Sequence, residues 1–339
     1  MNDMRIEQNY SLTGHNTFHV SAKARWFMEY ANEEELSRIL SDEYFRSAVS
    51  LSIGKGSNLL FLNDFDGVII HSCIKGITVV EDVPDSVLLR IGAGECWDDV
   101  VAYAVSHGWG GIENLSHIPG EAGAAAVQNI GAYGMEIKDV LETVEARNQR
   151  TGEKHFFTNE ACHYGYRHSY FKEPDSDPFI ITFICLRLQK KPQFRLDYGN
   201  LSQVLSRQTV TLQAIRDAVI EVRRSKLPDT DELGNAGSFF MNPVIPQLQF
   251  NDLKSKYATI PSYPASEGFI KIPAAWLIEQ CGFKGKREGR VGVYEKQALI
   301  LVNHGGATGK EIATYAEKIS HTVFDTFGVA LTPEVKYIS

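Results

Sequence analysis

Residues 118–134 read Ile-Pro-Gly-Glu-Ala-Gly-Ala-Ala-Ala-Val-Gln-Asn-Ile-Gly-Ala-Tyr-Gly, with glycine or alanine at 120 and 122–126 and again at Gly131, Ala132 and Gly134. Side chains this small leave backbone N–H groups uncovered beside Gln128 and Asn129. Glycine tolerates φ > 0 and lets the main chain approach a ligand, and consecutive N–H groups form a concave site for a pyrophosphate. One tight turn or one helix–strand contact needs far fewer small residues. The stretch is therefore read as a loop wrapping a large polyanionic cofactor, with a tight loop in a close-packed sheet as the structural alternative.

A second small-residue segment, Gly54-Lys55-Gly56-Ser57-Asn58, lies between apolar runs that read as strands. Its spacing fits neither G-x-G-x-x-G opening a helix nor G-x-x-x-x-G-K-[ST], so the Rossmann and P-loop readings both fail. Asp64, Asp66 and Gly67 then lead into Val68-Ile69-Ile70, a turn into a further strand. Two such segments in one chain predict a dinucleotide site built from strand-to-strand loops.

With 339 residues, 43% hydrophobic and 22% charged, the chain is long enough for two or three domains. A net charge of −8 argues against a nucleic-acid groove, while leaving room for local basic pockets. The five cysteines, Cys73, Cys96, Cys162, Cys185 and Cys281, form no C-x-x-C and no metal-ligand spacing with histidines, so neither a metal site nor a disulfide framework is expected. No signal peptide and no membrane-length apolar run is read, and the expectation is a cytoplasmic monomer.

Asn32 with Glu35 caps a helix carrying Leu36, Ile39 and Leu40 within a small α/β unit from Asn16 to about Ser72. Strands Val87–Ile91 and Phe179–Leu188 flank a helix from Trp97 to His107, closed by Gly108. Thr211 caps a helix with Leu212, Ile215, Val219 and Val222 at helical spacing, which the chain leaves through Arg223-Arg224-Ser225-Lys226-Leu227-Pro228; a boundary is placed near 220. Beyond it come a short helix around Ala274–Gln280, a strand Ala298–Val302, and a long helix opened by Thr308 and Glu311 and ended by Gly328.

Three segments place polar residues in unusual company: Tyr164-Gly-Tyr-Arg167-His-Ser169, Asn235-Ala-Gly-Ser238-Phe-Phe-Met-Asn242-Pro243 and Leu331-Thr-Pro-Glu334-Val-Lys336. Each has an ordinary alternative: Arg167 stacked on Tyr166 at the surface, Ser238 capping a turn, Glu334 on a solvated edge strand. Ser238, between Gly237 and Phe239-Phe240, is expected in an apolar wall, as suits a proton donor. Gly-Ser-Phe is not the G-x-S-x-G elbow, so acyl-enzyme chemistry is disfavoured.

With these segments and Asn16-Thr17-Phe18 in this order, the chain resembles the UDP-N-acetylenolpyruvoylglucosamine reductase family, flavoproteins that complete UDP-N-acetylmuramate in bacterial peptidoglycan synthesis. Leu196-Asp197-Tyr198-Gly199-Asn200 looks like the mobile tyrosine loop of one subgroup. The resemblance covers nearly the whole chain and implies an α+β protein of the vanillyl-alcohol-oxidase/PCMH type. Its FAD-binding fold has two α/β subdomains, 1–73 (with 332–339 returning to it) and 74–220, followed by a substrate-binding α+β domain, 221–331.

The resemblance further implies non-covalent FAD on Gly54, Lys55, Gly56, Ser57, Asn58, Leu59, Ile118, Pro119, Gly120, Gly123, Ala124, Gln128, Asn129, Gly131, Ala132, Tyr133, Gly134 and Arg167. NADPH is the implied hydride donor and UDP-N-acetylglucosamine enolpyruvate the substrate, met by Tyr198, Arg223, Lys226, Asn242 and Gln297. Arg167 with Glu334 is implied to stabilise an enolate-like intermediate, and Ser238 to protonate the adjacent carbon. The pattern departs from the family at Glu121, where a small or neutral residue is common, at Ala126 for proline, at Lys336 for arginine, and at Tyr294 where some relatives carry histidine. The rival readings are an FAD-dependent alcohol or hydroxy-acid oxidase or dehydrogenase of the same fold, with no use for Arg223 and Lys226, and a silent nucleotide-binding scaffold.

Overall fold

A computed structural model describes residues 4–173, 177–197, 201–206 and 209–339; Tyr198 lies outside the described residues. Contacts gather the chain into two units, one of Met1–Tyr10, Ala24–Lys55 and Asp66–Ser225, the other of Ser11–Lys23, Gly56–Phe65 and Lys226–Ser339. No helix among the described residues is long and apolar enough to cross a membrane.

The first unit holds two sheets with separate cores. A four-stranded sheet runs in the order Arg5–Ser11, Lys23–Tyr30, Phe65–Ser72, Ser50–Ile53, the last two strands parallel. Against it packs the helix Glu33–Ser41, whose Leu36, Ile39 and Leu40 share a core with Met28, Val68 and Ile70. That helix starts where the sequence predicts: Asn32 Oδ1 accepts from Glu35 N–H at 2.9 Å while Glu35 accepts from Ala31 N–H at 2.7 Å. The second sheet is antiparallel throughout, in the order Lys154–Thr158, Leu141–Asn148, Phe179–Gln189, Ser86–Gly92, Ile77–Asp82. The helix Trp97–Ser106 buries Trp97, Val100, Val101 and Ala104 in the core of this sheet, each large side chain contributing about 1.5–3 kcal/mol. Trp97 also donates to the Leu115 carbonyl at 2.9 Å, so its indole N–H is buried without penalty.

The Gly/Ala stretch is not a strand-to-strand loop. Residues Ala122–Gln128 form a helix that ends on Asn129 in the left-handed region. Alanine is the strongest helix former, and four of these seven residues are alanine. Gly123 serves close packing, since a Cβ there would stand 2.9 Å from that of Ala93.

In the second unit, Gly234–Asn235, Leu301–Asn303, Val291–Val293 and Arg287–Glu288 form an antiparallel sheet in that order. The helix Gly309–Phe327 packs on its core through Ile312, Ala316, Ile319, Val323 and Phe327, between a Thr308/Glu311 capping box and Gly328. Lys336–Ile338 pairs in parallel with Leu59–Phe61. The strand expected at Ala298–Val302 begins only at Leu301, because Gln297 and Ile300 close a turn through Ile300 N–H to Gln297 O at 3.1 Å.

Candidate functional site

Within the first unit the turn Tyr164–Ser169 carries Arg167 back onto the small-residue segment. Gly165 and His168 bridge, Arg167 adopts φ 55°, and its guanidinium donates to the carbonyl of Gly131 at 2.7 Å and of Asn129 at 3.4 Å. Gly131 permits this approach: a Cβ there would sit 2.9 Å from the Arg167 Nη1. Arg167 also lies over the Tyr166 ring at 5.5 Å, so stacking and anchoring to the segment coexist.

Gln128 tests whether these residues suit an acceptor-rich ligand. Its Oε1 accepts from Lys172 at 2.9 Å, while its Nε2 is buried and has no hydrogen-bond partner among the described residues. A buried donor left without a partner costs about 1–3 kcal/mol, so it fits a site completed by acceptor groups such as those of a flavin nucleotide. Asn129, by contrast, uses its side-chain amide to brace the segment on Gly165 O at 2.7 Å.

Arg223, near the end of the helix Leu212–Lys226, donates through Nε to the His117 carbonyl at 3.0 Å. Burial holds its guanidinium below the ordinary value, the response of a cation that lacks a full counter-charge. The His117 N–H in turn donates to Asp98 at 2.5 Å, and Asp98 takes both arms of Arg216 at 2.7 and 2.8 Å. Burial opposes the Asp98 charge, but hydrogen bonds from Arg216 and the His117 N–H outweigh it and hold the carboxyl below its usual range. Asp98→Ala strands Arg216 and frees His117; urea titration should show a loss of about 2–3 kcal/mol, less than the 3–5 of a fully buried pair because Asp98 is 26% exposed. Since the folded pKa is depressed, this contribution is present above the unfolded value near 3.9 and is lost as pH falls through the folded one. A loss below 1 kcal/mol at neutral pH would show the pair to be a surface contact.

In the second unit a short ladder brings Ser238 and Glu334 together. Phe239 N–H donates to Leu299 O and Glu334 N–H to Phe239 O, each at 2.8 Å, and Phe240 bridges Pro333. Phe239 and Phe240 are buried, but Ser238 itself is exposed, not enclosed in an apolar wall, because it follows an open turn at Gly237 and does not lie within a strand. Gly237, at φ 66°, has nothing within 4 Å of where a Cβ would be, so the approach to Ser238 is open on that side. Asn58 donates to the Glu334 carbonyl at 3.2 Å, which ties the glycine segment to the same ladder. Asn242 caps the helix Ala274–Gln280 by accepting from Ala274 N–H at 2.9 Å, and Gln297 accepts from Leu299 N–H at 3.3 Å. Lys226 is exposed. Arg167 and Arg223 belong to the first unit, Ser238, Glu334, Lys226, Asn242 and Gln297 to the second.

Some positioning residues carry no sequence signal. Lys172 holds Gln128 and also donates to the Arg167 carbonyl at 2.7 Å, and Asp98 and Arg216 anchor His117 from 118 positions apart. Asn16, read as a family marker, is a brace, bonding Leu12 O, Val20 O and Val20 N–H at 2.8–3.0 Å.

Residues 228–338 match the family described as UDP-N-acetylenolpyruvoylglucosamine reductase, C-terminal domain, and residues 24–155 match the FAD binding domain family. Over 337 residues, 99% of this chain and all of the relative, the chain is 53% identical to the UDP-N-acetylenolpyruvoylglucosamine reductase of Porphyromonas gingivalis strain W83. It is 45% identical to that of Bacteroides fragilis strain NCTC 9343, covering 98% of this chain and 100% of the relative, and 40% identical to that of Pseudomonas aeruginosa PAO1, covering 98% of each. The crystal structure of the Thermus caldophilus UDP-N-acetylenolpyruvylglucosamine reductase shares the fold, with a TM-score of 0.70 at 22% identity over 99% of this chain and 100% of that one.

Proposed function

The chain belongs to the UDP-N-acetylenolpyruvoylglucosamine reductase family, and from that premise we propose that Arg167, Ser238 and Glu334 carry its chemistry. It is an FAD-dependent oxidoreductase of the UDP-N-acetylmuramate dehydrogenase type, reducing UDP-N-acetylglucosamine enolpyruvate with NADPH in peptidoglycan precursor synthesis. Its fold is the expected FAD-binding type followed by a C-terminal α+β domain. The oxidase alternative is set aside by this membership.

FAD, when bound, relays the hydride of NADPH to the substrate's vinyl group. The residues proposed to hold it are those of Gly54–Leu59, Ile118–Gly120, Gly123, Ala124 and Gln128–Gly134 with Arg167, and the buried Gln128 donor is the observation that favours them. Arg223 and Lys226, three apart on the last turn of one helix, are proposed to take the diphosphate; an underserved guanidinium gains most from such an anion. Asn242 and Gln297 are proposed to meet other parts of the substrate.

The bond from Glu334 N–H to the carbonyl of Phe239, the residue next to Ser238, is the observation that carries the chemical assignment. Addition of hydride to the methylene carbon pushes negative charge through the adjacent carbon into the carboxylate. Arg167, pinned by two carbonyls, is proposed to stabilise that charge without reorganising, with Glu334 hydrogen-bonding there. Ser238 then gives its proton to the adjacent carbon, completing the reduction, and recovers one from solvent through its exposed side.

Two separate cores in the first unit favour a division near residue 73, and the proposed domains are 1–73, 74–220 and 221–331, with Ser11–Lys23 and Gly56–Phe65 of the first clustering with the second unit. Operation in the cytoplasm, where NADPH and sugar nucleotides reside, and as a monomer completes the proposal; light scattering tests the latter. An anaerobic absorbance trace tests the function. NADPH should bleach the flavin and UDP-N-acetylglucosamine enolpyruvate should restore it. Bleaching without recovery removes the substrate assignment, and no flavin signal even with added FAD removes the cofactor.

A further inference from the structure

Glu121 opens the helix Ala122–Gln128 at its N-cap, yet its carboxylate makes no capping hydrogen bond. It turns onto His71 Nε2, at 3.1 and 3.2 Å from its two oxygens, while His71 Nδ1 lies 2.9 Å from Glu29 Oε1. Ionised carboxylates only accept, so a ring that satisfies both must donate from both nitrogens and is an imidazolium. The site is well covered, the side chains of His71 and Glu121 being 13% and 9% exposed. Glu121 also abuts the other glycine segment: a Cβ on Gly54 would stand 3.0 Å from Glu121 Oε2 and 3.3 Å from the Ala124 Cβ. A lone carboxylate at this junction would repel a pyrophosphate.

We propose that His71 is a positioning residue for the cofactor: clamped between Glu29 and Glu121, it fixes and neutralises the Glu121 carboxylate where the two glycine segments meet, so that an anionic dinucleotide is accepted there. The proposal rests on the assignment of Gly54, Gly120 and Gly123 to FAD.

Among the described residues, the groups near the ring include Glu29 and Tyr30 on the strand Lys23–Tyr30, Arg5 on the neighbouring strand at 3.5 Å from Glu29, Cys73 with its sulfur 3.9 Å from Nδ1, and Glu121. Burial alone would discharge the histidine, but hydrogen bonds with Cys73, Glu121 and Glu29 prevail and push it up to about 10. Glu29, His71 and Cys73 offer ligand atoms within 4.8 Å of one another, but a ring donating from both nitrogens has no lone pair for a metal.

The test is FAD release from the loaded full-length protein on dilution, read as recovery of free-flavin fluorescence. His71→Gln should weaken retention about 10-fold, the size of coupling common between contacting charges. In a Glu121→Gln background the same change should cost less than about 2-fold, because no carboxylate is left beside the glycine segments to neutralise; Glu29 stays on the far side of the ring. Wild-type retention should hold while His71 stays charged and fall only as pH rises through about 10, and the double variant should lack that fall. Equal losses in both backgrounds would mean that His71 only packs, and overturn the proposal. Gly54→Ala separates the two ideas: if it weakens retention while His71→Gln does not, the positioning role alone fails; if neither matters, the cofactor assignment fails with it.

Discussion

Ser238→Ala is expected to leave NADPH bleaching of the flavin at its normal rate and to slow recovery by the enolpyruvyl substrate about 10²–10³-fold, the loss typical of a group that acts only on a developing charge. The first half of the reaction needs no proton on a substrate carbon, so nothing Ser238 does enters it. In the second half, the charge spread between carbon and carboxylate has no other donor of this kind proposed for it. Steady-state turnover should fall with little change in KM, the signature of an interaction made in the transition state only. Because Ser238 is exposed and fills no cavity, alanine there should leave stability nearly unchanged, and melting of the loaded protein checks this. Normal recovery of absorbance would remove the proton-donor role; slowed bleaching would place Ser238 in the first half instead.

Where a signal is local, the sequence predicts the structure closely. The Thr308/Glu311 box and the Asn32 cap on Glu35 N–H mark helix starts to the residue, because a cap is a bond between neighbours three apart. The helix Gln247–Lys256 escapes the same reading, since only Phe250 and Leu253 on it are buried and its start has no side-chain cap. The Gly/Ala stretch was legible as an unusual small-residue segment but not as a helix: glycine content argues for a loop, and only the fit of Gly123 against Ala93 shows why one glycine sits inside a helical turn. The supporting shell was hidden altogether. Asp98–Arg216 and His71–Glu121 join positions 118 and 50 apart, and no spacing rule couples residues that only the tertiary fold brings together. Ser238 and Glu334 stood out by motif, yet their neighbourhood depends on the Phe239–Glu334 hydrogen bond.

Gly56→Ala is expected to be the most damaging single-methyl change in the segments proposed to hold FAD. Gly56 has φ 66°, and an added Cβ would stand 2.0 Å from the His15 carbonyl oxygen, 2.8 Å from Asn16 Cα and 2.9 Å from His15 C. These are backbone atoms, so no side-chain rotation relieves the clash. Nor is that backbone free to retreat: Asn16 ties it to Leu12 and Val20 by three hydrogen bonds, and Thr17 N–H meets the Gly56 carbonyl at 3.4 Å. Left-handed strain for a non-glycine residue costs about 1–3 kcal/mol and forced overpacking about the same again, so a total of about 2–6 kcal/mol is expected. That is a large share of the 5–15 kcal/mol that holds a typical fold. Gly328→Ala supplies the control: φ is also 66°, at the end of the helix Gly309–Phe327, but nothing lies within 4 Å of the added carbon. It should cost only the conformational part, about 1–2 kcal/mol. Thermal melting of both variants isolates the clash as their difference, and FAD loss should accompany Gly56→Ala alone, since Asn58 two residues on is bonded to the Glu334 carbonyl and shifts with the segment. If the two variants melt together, the His15–Asn16 backbone yields cheaply, and the glycine is needed for its dihedral angle and not for close approach.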